Sequence, residues 1–291
     1  MKFNKKISIL IFFIIGFSMI ATLSGVLSTH GPGEYEYTSI RGENVTIYGK
    51  GFYQHMSADV AIQGIAQDYV TLLIGIPLLI IGLYLARKNK LKGQILLSGT
   101  LGYFTVTYLF YLCMAMYNPL FLLWIILASL SFYTFLLSIF SIGLSDLTPY
   151  FKNKLPTRFI GGFLIFNAIL IGIMWLGVIL PPFLNGRIYP TELEHYTTLI
   201  VQGLDLSILL PASFLSGFFI LKKKTIGFMI APIYTVFLSL LMTALSAKII
   251  AMSFVGANVI PAIILIPLIT SIAIISVILI LKNINEQKYV Y

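Results

Sequence analysis

Long apolar runs alternate with short polar connections along the whole chain, and this alternation predicts helices that span a membrane. Each run approaches the ~20 residues that are needed to cross a bilayer core of roughly 30 Å. The sequence therefore predicts an all-α fold, a polytopic bundle of eight transmembrane helices in which residues 1–291 form a single membrane domain. The predicted spans are about 7–27, 69–86, 94–116, 120–143, 159–181, 199–221, 226–249 and 260–281.

The segment 28–67 has a different pattern and predicts a small extracytoplasmic cap. Within it, YEYTSI and VTIYGKGFY alternate between polar and apolar residues, are rich in Tyr, Thr and Ile, and are separated by RGEN. Two such strands around turn residues predict a β-hairpin. The following SADVAIQGIAQD predicts a short helix that Ser57 caps and that leads into the second span. A second polar loop, about 182–196, lies on the same side of the predicted bundle.

The composition agrees with a membrane protein. Of the 291 residues, 58% are hydrophobic and 10% are charged, and the mean hydropathy is +0.96. A soluble protein has roughly a quarter of its residues charged. The single cysteine, Cys113, lies inside a predicted span, which excludes a disulfide within the chain and dithiol redox chemistry.

The distribution of the basic residues predicts the orientation of the bundle. The net charge is +9, but the positive residues cluster beside apolar runs on alternate connections, which indicates membrane orientation rather than nucleic-acid binding. One set holds 15 of the 19 basic residues: Lys2, Lys5, Lys6, Arg87, Lys88, Lys90, Lys92, Lys152, Lys154, Arg158, Lys222, Lys223, Lys224, Lys282 and Lys288. The other set holds Arg41, Lys50, Arg187 and Lys248. The positive-inside rule places the first set in the cytoplasm, which predicts a protein of the cytoplasmic membrane with both termini cytoplasmic.

The first span has two interpretations, because MKFNKK followed by an apolar stretch is also how a signal peptide begins. The stretch runs from Ile7 to Leu27, well beyond the ~7–15 apolar residues of a signal peptide. That length favours an uncleaved anchor. Small residues near Ala21 and Gly25 keep cleavage open as the alternative, which would leave seven spans and an N-terminus outside.

Asp205 is the most informative polar residue, because it lies inside the apolar run LIVQGLDLSILLP at residues 199–211. It is about six residues from the predicted outer end of the sixth span, hence roughly 9 Å deep. A carboxylate at that depth costs several kcal/mol unless it is paired, hydrated or protonated. Gln202 shares its helix face, and Lys248 lies at a comparable depth in the seventh span. Two interpretations stay open: a structural Asp205–Lys248 ion pair, and a site for a ligand, an ion or a proton.

Polar residues also mark the second, third and seventh spans. Asp68 directly precedes the predicted second span, where capping of the helix N-terminus is the expected role of an aspartate. Hydroxyl stripes at helical spacing follow the other two spans: Thr235, Ser239, Thr243 and Ser246 in the seventh, and Thr100, Tyr103, Thr107 and Tyr111, continued by Asn118, in the third. Such stripes favour helix–helix packing, and the alternative is a polar cavity between the third, sixth and seventh spans.

The second outer loop contains residue types that bind metals but no metal-binding motif. Glu192, Glu194 and His195 form E-x-E-H, with His30, His55 and Asp59 on the same side, yet the spacing differs from H-E-x-x-H. We find no P-loop, dinucleotide-binding fingerprint or G-x-S-x-G motif. The sequence therefore predicts no metal and no cofactor.

Three segments resemble stretches that recur in bacterial multipass proteins known only as hypothetical membrane proteins. The segments are IAQDYVTLLIGIPLLI at 65–80, YNPLFLLWIILASLS at 117–131 and VQGLDLSILLP at 201–211. The resemblance implies a membrane location and no activity. Asp68 and Asp205 lie inside the resembling segments.

These patterns lead to one main functional hypothesis and two alternatives. The main hypothesis is a membrane protein that binds or transports a small molecule, an ion or a lipid through an outward-facing polar cavity. The residues predicted to form the cavity are Asp205, Gln202, Lys248, Tyr103, Thr107, Tyr111, Ser239, Thr243 and Asp68. One alternative is a structural subunit that uses the 28–67 cap to bind a membrane or extracytoplasmic protein. The other is a membrane-embedded enzyme acting on lipid or cell-wall precursors, which is weaker because no nucleophile–base pair is visible.

Overall fold

A computed structural model describes residues 5–143 and 146–286 of the chain. Eight of the helices in these residues are long and apolar enough to cross a membrane, which confirms the predicted number of apolar helices. They are α1 (Lys5–Leu27), α2 (Ala58–Arg87), α3 (Leu91–Met114), α4 (Phe121–Ile142), α5 (Thr157–Leu184), α6 (Ile200–Leu221), α7 (Thr225–Phe254) and α8 (Ala262–Lys282). The strands β1 (Tyr35–Thr38) and β2 (Asn44–Ile47) pair antiparallel, with Tyr35 opposite Ile47.

Helices α3 and α7 are the most buried and form the centre of the bundle. They pack against each other and against α2, while α4 packs on α3 and α6 packs on α7. Small residues permit close contact: a Cβ on Gly99 of α3 would overlap Val236 of α7, and one on Gly217 of α6 would overlap the backbone of Gly161 on α5. Because α4 and α6 do not pack extensively against each other, a space remains between them on one side of the α3–α7 pair.

The helices alternate in direction, so the bundle has two ends. We call the end with the connections 88–90, 143–156 and 222–224 the basic end, and the opposite end the cap end. At the basic end, the Glu286 carboxylate accepts hydrogen bonds from the backbone N–H groups of Leu91 and Lys92, each at 3.0 Å. A carboxylate at the first turn of α3 offsets the positive end of that helix.

The cap consists of the predicted hairpin and a loop that lies against it. The second strand is shorter than the sequence predicts: β2 ends at Ile47 because Gly49 and Gly51 have positive φ angles of 67° and 60°, which lead into a 3₁₀ turn at Gly51–Tyr53. The loop 185–199 contacts the hairpin through Arg41. The Arg41 guanidinium donates to the Glu194 carbonyl oxygen at 3.2 Å, and the Tyr189 hydroxyl donates to the Arg41 carbonyl oxygen at 3.1 Å.

The predicted role of Asp68 as a helix cap is wrong. Helix α2 begins at Ala58, with Ser57 at its N-cap position but without the capping bond from its side chain, and continues to Arg87. The short helix of the predicted cap and the second span are therefore one helix. Asp68 lies inside this helix, where the backbone N–H groups already bond to helix carbonyls. Its carboxylate therefore has no free N–H group to cap and needs other hydrogen-bond partners.

Two helices contain a π-helical turn close to an aspartate. In α2 the wide turn is Thr71–Gly75, just after Asp68, and in α6 it is Asp205–Leu209. A proline follows each turn, Pro77 in α2 and Pro211 in α6. Because proline has no N–H group and its ring crowds the preceding turn, it disturbs the regular i to i−4 bonds there. Such turns are frequent at functional sites, which directs attention to both aspartates.

Candidate functional site

Asp68 is the centre of a buried hydrogen-bond network at the cap end. Its side chain is 1% exposed. The Tyr53 hydroxyl donates to Oδ2 at 2.6 Å and the Tyr111 hydroxyl donates to Oδ1 at 2.8 Å, so both carboxylate oxygens are bonded. Burial, and after it the Asp68 charge, raises the pKa of Tyr53 well above its usual value, so this hydroxyl keeps its proton and remains a donor. Trp124 stacks on the Tyr111 ring, with centroids 5.3 Å apart.

The network continues along α2 and α3 through Gln67. Its amide nitrogen donates to the Tyr103 hydroxyl at 2.8 Å and to the Thr107 hydroxyl at 3.0 Å. The Thr71 hydroxyl lies 2.9 Å from the Tyr103 hydroxyl. The structure thus brings together four of the predicted site residues, Asp68, Tyr103, Thr107 and Tyr111, in one polar cluster between the two helices.

Asp205 lies outside this cluster and has a different partner from the one expected. Its Oδ2 accepts a hydrogen bond from the indole N–H of Trp175 on α5 at 2.7 Å. In the part of the chain that the structure describes, no nitrogen–oxygen contact within 4 Å joins Asp205 to Lys248, so the predicted direct ion pair is absent there. Gln202 is partly exposed one turn away and makes no hydrogen bond to Asp205 among the same residues.

Lys248 lies within electrostatic range of both Asp205 and Asp68. Lys248 and Asp205 are partly exposed, whereas Asp68 is buried. We call these three side chains the charged centre. It contains one basic and two acidic side chains, each contributed by a different helix.

An apolar groove of about 500 Å³ opens between α4 and α6. Its floor is formed by α3 and α7, for example by Val106 and Phe237, and its edges by Phe132 of α4 and Ile208 of α6. The few hydroxyl groups along it are mostly bonded within the protein: the Tyr234 hydroxyl donates to the Leu209 carbonyl oxygen at 2.7 Å. The groove therefore offers an apolar surface and few free hydrogen-bonding groups.

The cap end of the groove approaches Asp205. Two of the lining residues nearest the cap end are Phe110 and Leu204, which directly precede Tyr111 of the Asp68 network and Asp205. The hydroxyl of Tyr234, on the groove floor, donates to the Leu209 carbonyl oxygen, at the end of the π-helical turn that begins at Asp205. An apolar cavity of a ligand's size with a few polar groups at one end is the usual form of a binding site.

The predicted stripe on α7 does not join the charged centre. The Ser239 hydroxyl donates to the Val236 carbonyl oxygen at 2.8 Å, and the Thr243 hydroxyl donates to the Ser239 carbonyl oxygen at 2.7 Å. Ser246 instead lies 2.8 Å from the Thr270 hydroxyl on α8. The first two bonds stay within α7, and the contact of Ser246 with Thr270, which joins α7 to α8, supports helix packing as the role of the stripe at that position.

The loop with Glu192, Glu194 and His195 packs on the cap. The backbone N–H of Ser57 donates to the Tyr196 hydroxyl at 3.3 Å, and the His195 ring lies edge-on to the Tyr37 ring. Burial raises the pKa of the Glu194 carboxyl and lowers the pKa of His195, so their uncharged forms are favoured. Among the described residues, no three His, Cys, Asp or Glu side chains are grouped as a metal site would require.

Four residues of the site were not expected from the sequence: Tyr53, Gln67, Thr71 and Trp175. A signal for Trp175 was present, since it is one of two tryptophans and its indole N–H needs an acceptor inside an apolar run. Tyr53 was expected in a strand, and Gln67 in the short cap helix that leads into the second span. We found no family model, curated protein or solved structure that matches this chain.

Proposed function

We propose that this protein is an integral membrane protein that binds a membrane lipid, with one hydrocarbon chain of the lipid in the α4–α6 groove. The observation that carries the proposal is the groove itself. It is apolar and opens sideways between helices that are long and apolar enough to cross a membrane. A volume of about 500 Å³ lies in the usual range of ligand sites, roughly 300–1,000 Å³.

The position of the groove along the bundle supports a lipid as the ligand, rather than a solute that enters from water. The lining residues run from Phe110 and Leu204 near the cap end to Phe219 and Met229 near the basic end. A chain lying in this groove would be parallel to the helices, as lipid chains are in a bilayer. In this proposal the ligand enters from the membrane, whereas the sequence predicts entry through an outward-facing polar cavity.

We place the protein in the cytoplasmic membrane with both termini in the cytoplasm, as the distribution of Lys and Arg predicts. Retention of the first helix is supported by its packing, because Ile7, Ile11 and Ile14 are buried and Gly25 lies against Asp68. The likeness to bacterial hypothetical membrane proteins adds no activity to this proposal.

Filling the groove is expected to displace the lipid. A Cβ on Gly102 would lie 3.4 Å from the Phe135 ring and 3.7 Å from the Phe237 ring, so the backbone accepts a side chain there. In Gly102→Leu the remaining side-chain atoms would occupy the groove, and lipid that copurifies with the protein should fall at least about tenfold, or about 1.4 kcal/mol. Mass spectrometry of lipids extracted from the purified protein, per mole of protein, measures this.

The matched control is Gly177→Leu, which adds the same side chain on α5, where nothing lies within 4 Å of the glycine. Ala212→Phe fills the groove from α6 and should act like Gly102→Leu. Equal lipid retention in all three variants and the parent protein would rule out the groove as the site.

A further inference from the structure

We propose, on the basis of the lipid binding proposed above, that the ligand is a zwitterionic phospholipid whose head group ends in a primary ammonium. Its ammonium would donate to Asp205 and its phosphate would contact Lys248. Transfer of an acyl chain from the bilayer to the groove exchanges one hydrocarbon environment for another, so the chain contributes little selectivity. The selectivity among lipids must therefore come from the head group.

Asp205 has one carboxylate oxygen available. Trp175 occupies Oδ2, and among the described residues no donor bonds Oδ1. The side chain is partly exposed, beside a groove-lining residue, Leu204. The Trp175 bond fixes the orientation of the carboxylate. A primary ammonium of a ligand can donate to the free oxygen, and charge-assisted bonds of this kind are the stronger ones.

Lys248 provides the complementary positive charge. It follows Phe237 on the groove floor by eleven residues, which is about 16 Å along α7 and only about 20° around it. Its Cβ tilts toward the N-terminus of α7, so the side chain extends back toward the groove. Within the described residues its ammonium group makes no direct hydrogen bond, and it is partly exposed.

Asp68 does not contact the ligand. Tyr53 and Tyr111 occupy both of its oxygens, and its side chain is buried. Asp205 and Lys248 are therefore the two groups of the centre that can contact a head group. A head group that is only anionic would place its negative charge beside the Asp205 carboxylate, which is unfavourable. A zwitterion that presents its ammonium to Asp205 and its phosphate to Lys248 matches both signs.

The test compares three lipids that share the same acyl chains. Purified protein is mixed in detergent micelles with equimolar phosphatidylethanolamine, phosphatidylcholine and phosphatidylglycerol, and bound lipid is counted by native mass spectrometry. The primary ammonium should be favoured at least about tenfold over trimethylammonium, which cannot donate a hydrogen bond. This comparison uses the unaltered protein and needs no variant to fold.

Two variants test which side chains recognise the lipid head group. Asp205→Asn should remove the preference for phosphatidylethanolamine over phosphatidylcholine, and Lys248→Gln should weaken retention of both. The control is Asp146→Asn, an exposed aspartate at the basic end, which should leave all three lipids unchanged.

The outcomes separate this inference from the lipid-binding proposal. If all three lipids bind equally, or phosphatidylglycerol binds best, while Gly102→Leu still displaces them, the head-group inference is overturned and the groove stands. If binding shows neither head-group preference nor sensitivity to Gly102→Leu, both proposals are wrong.

Discussion

Replacing Gly25 with alanine is expected to lower the free energy of unfolding by about 3 kcal/mol. The backbone of α1 lies directly against the Asp68 carboxylate at this glycine. A Cβ there would overlap Oδ2 of Asp68 and come within 2.9 Å of the Tyr53 hydroxyl. Either α1 moves away, which opens the contact with α2, or the carboxylate rotates and loses a hydroxyl donor. Both responses weaken a buried network.

Gly16→Ala is the matched control, because it lies on the same helix and a Cβ there meets nothing within 4 Å. Both alanines gain the same intrinsic helix propensity, so the control should be neutral or slightly stabilising. Thermal and denaturant unfolding of the purified variants in one detergent measures the difference. If Gly25→Ala is as stable as Gly16→Ala, α1 does not pack on the Asp68 network as described.

Removing the Tyr111 hydroxyl is expected to have the second-largest effect, a loss of about 2 kcal/mol of stability. In Tyr111→Phe the ring remains stacked on Trp124, but Oδ1 of Asp68 loses its donor. The carboxylate is too buried for water to replace that donor easily. A buried charged group that is left short of a hydrogen bond costs more than an average hydrogen bond contributes.

Tyr108→Phe is the same substitution one turn earlier on α3. Among the described residues the Tyr108 hydroxyl is buried without a hydrogen-bond partner, so its removal should be neutral or stabilising. The hydroxyl lost in Tyr111→Phe reaches Asp68 and, at 3.0 Å, the Gly64 carbonyl oxygen, whereas the one lost in Tyr108→Phe reaches neither. Equal destabilisation by both, measured by the same unfolding assay, would show that ring packing rather than the Asp68 bond determines the effect.

The helices and the hairpin could be predicted because their signals are local. An apolar run of bilayer length or an alternating strand can be recognised in one stretch of sequence. The exception was the start of α2, where Asp59, Gln63, Gln67 and Asp68 made the first turns resemble a polar cap. Asp59 and Gln63 are at least partly exposed, while Gln67 and Asp68 are buried because residues from elsewhere in the chain, such as Tyr103 and Tyr111, bond to them.

The site was only partly predictable, because it depends on how helices rotate against each other. Asp205 was recognised from its apolar surroundings, yet its partner could have been on any neighbouring helix, and α5 presents Trp175 where Lys248 was expected. The groove left no signal at all. A phenylalanine that lines it, such as Phe132, has the same sequence surroundings as one on the outer surface, such as Phe166.

Photo-crosslinking tests the central claim, that a lipid chain lies in the α4–α6 groove, most directly. The protein is reconstituted with a phosphatidylethanolamine carrying a diazirine in the middle of one acyl chain, irradiated and mapped by peptide mass spectrometry. Exposure alone favours adducts on α5, where Phe166 and Ile173 are 57% and 64% exposed, over the groove residues Phe132 and Ile208 at 44% and 54%. The proposal predicts that adducts nevertheless concentrate on the groove and disappear in Gly102→Leu. Adducts that follow exposure, with α5 labelled at least as strongly and Gly102→Leu without effect, would contradict it.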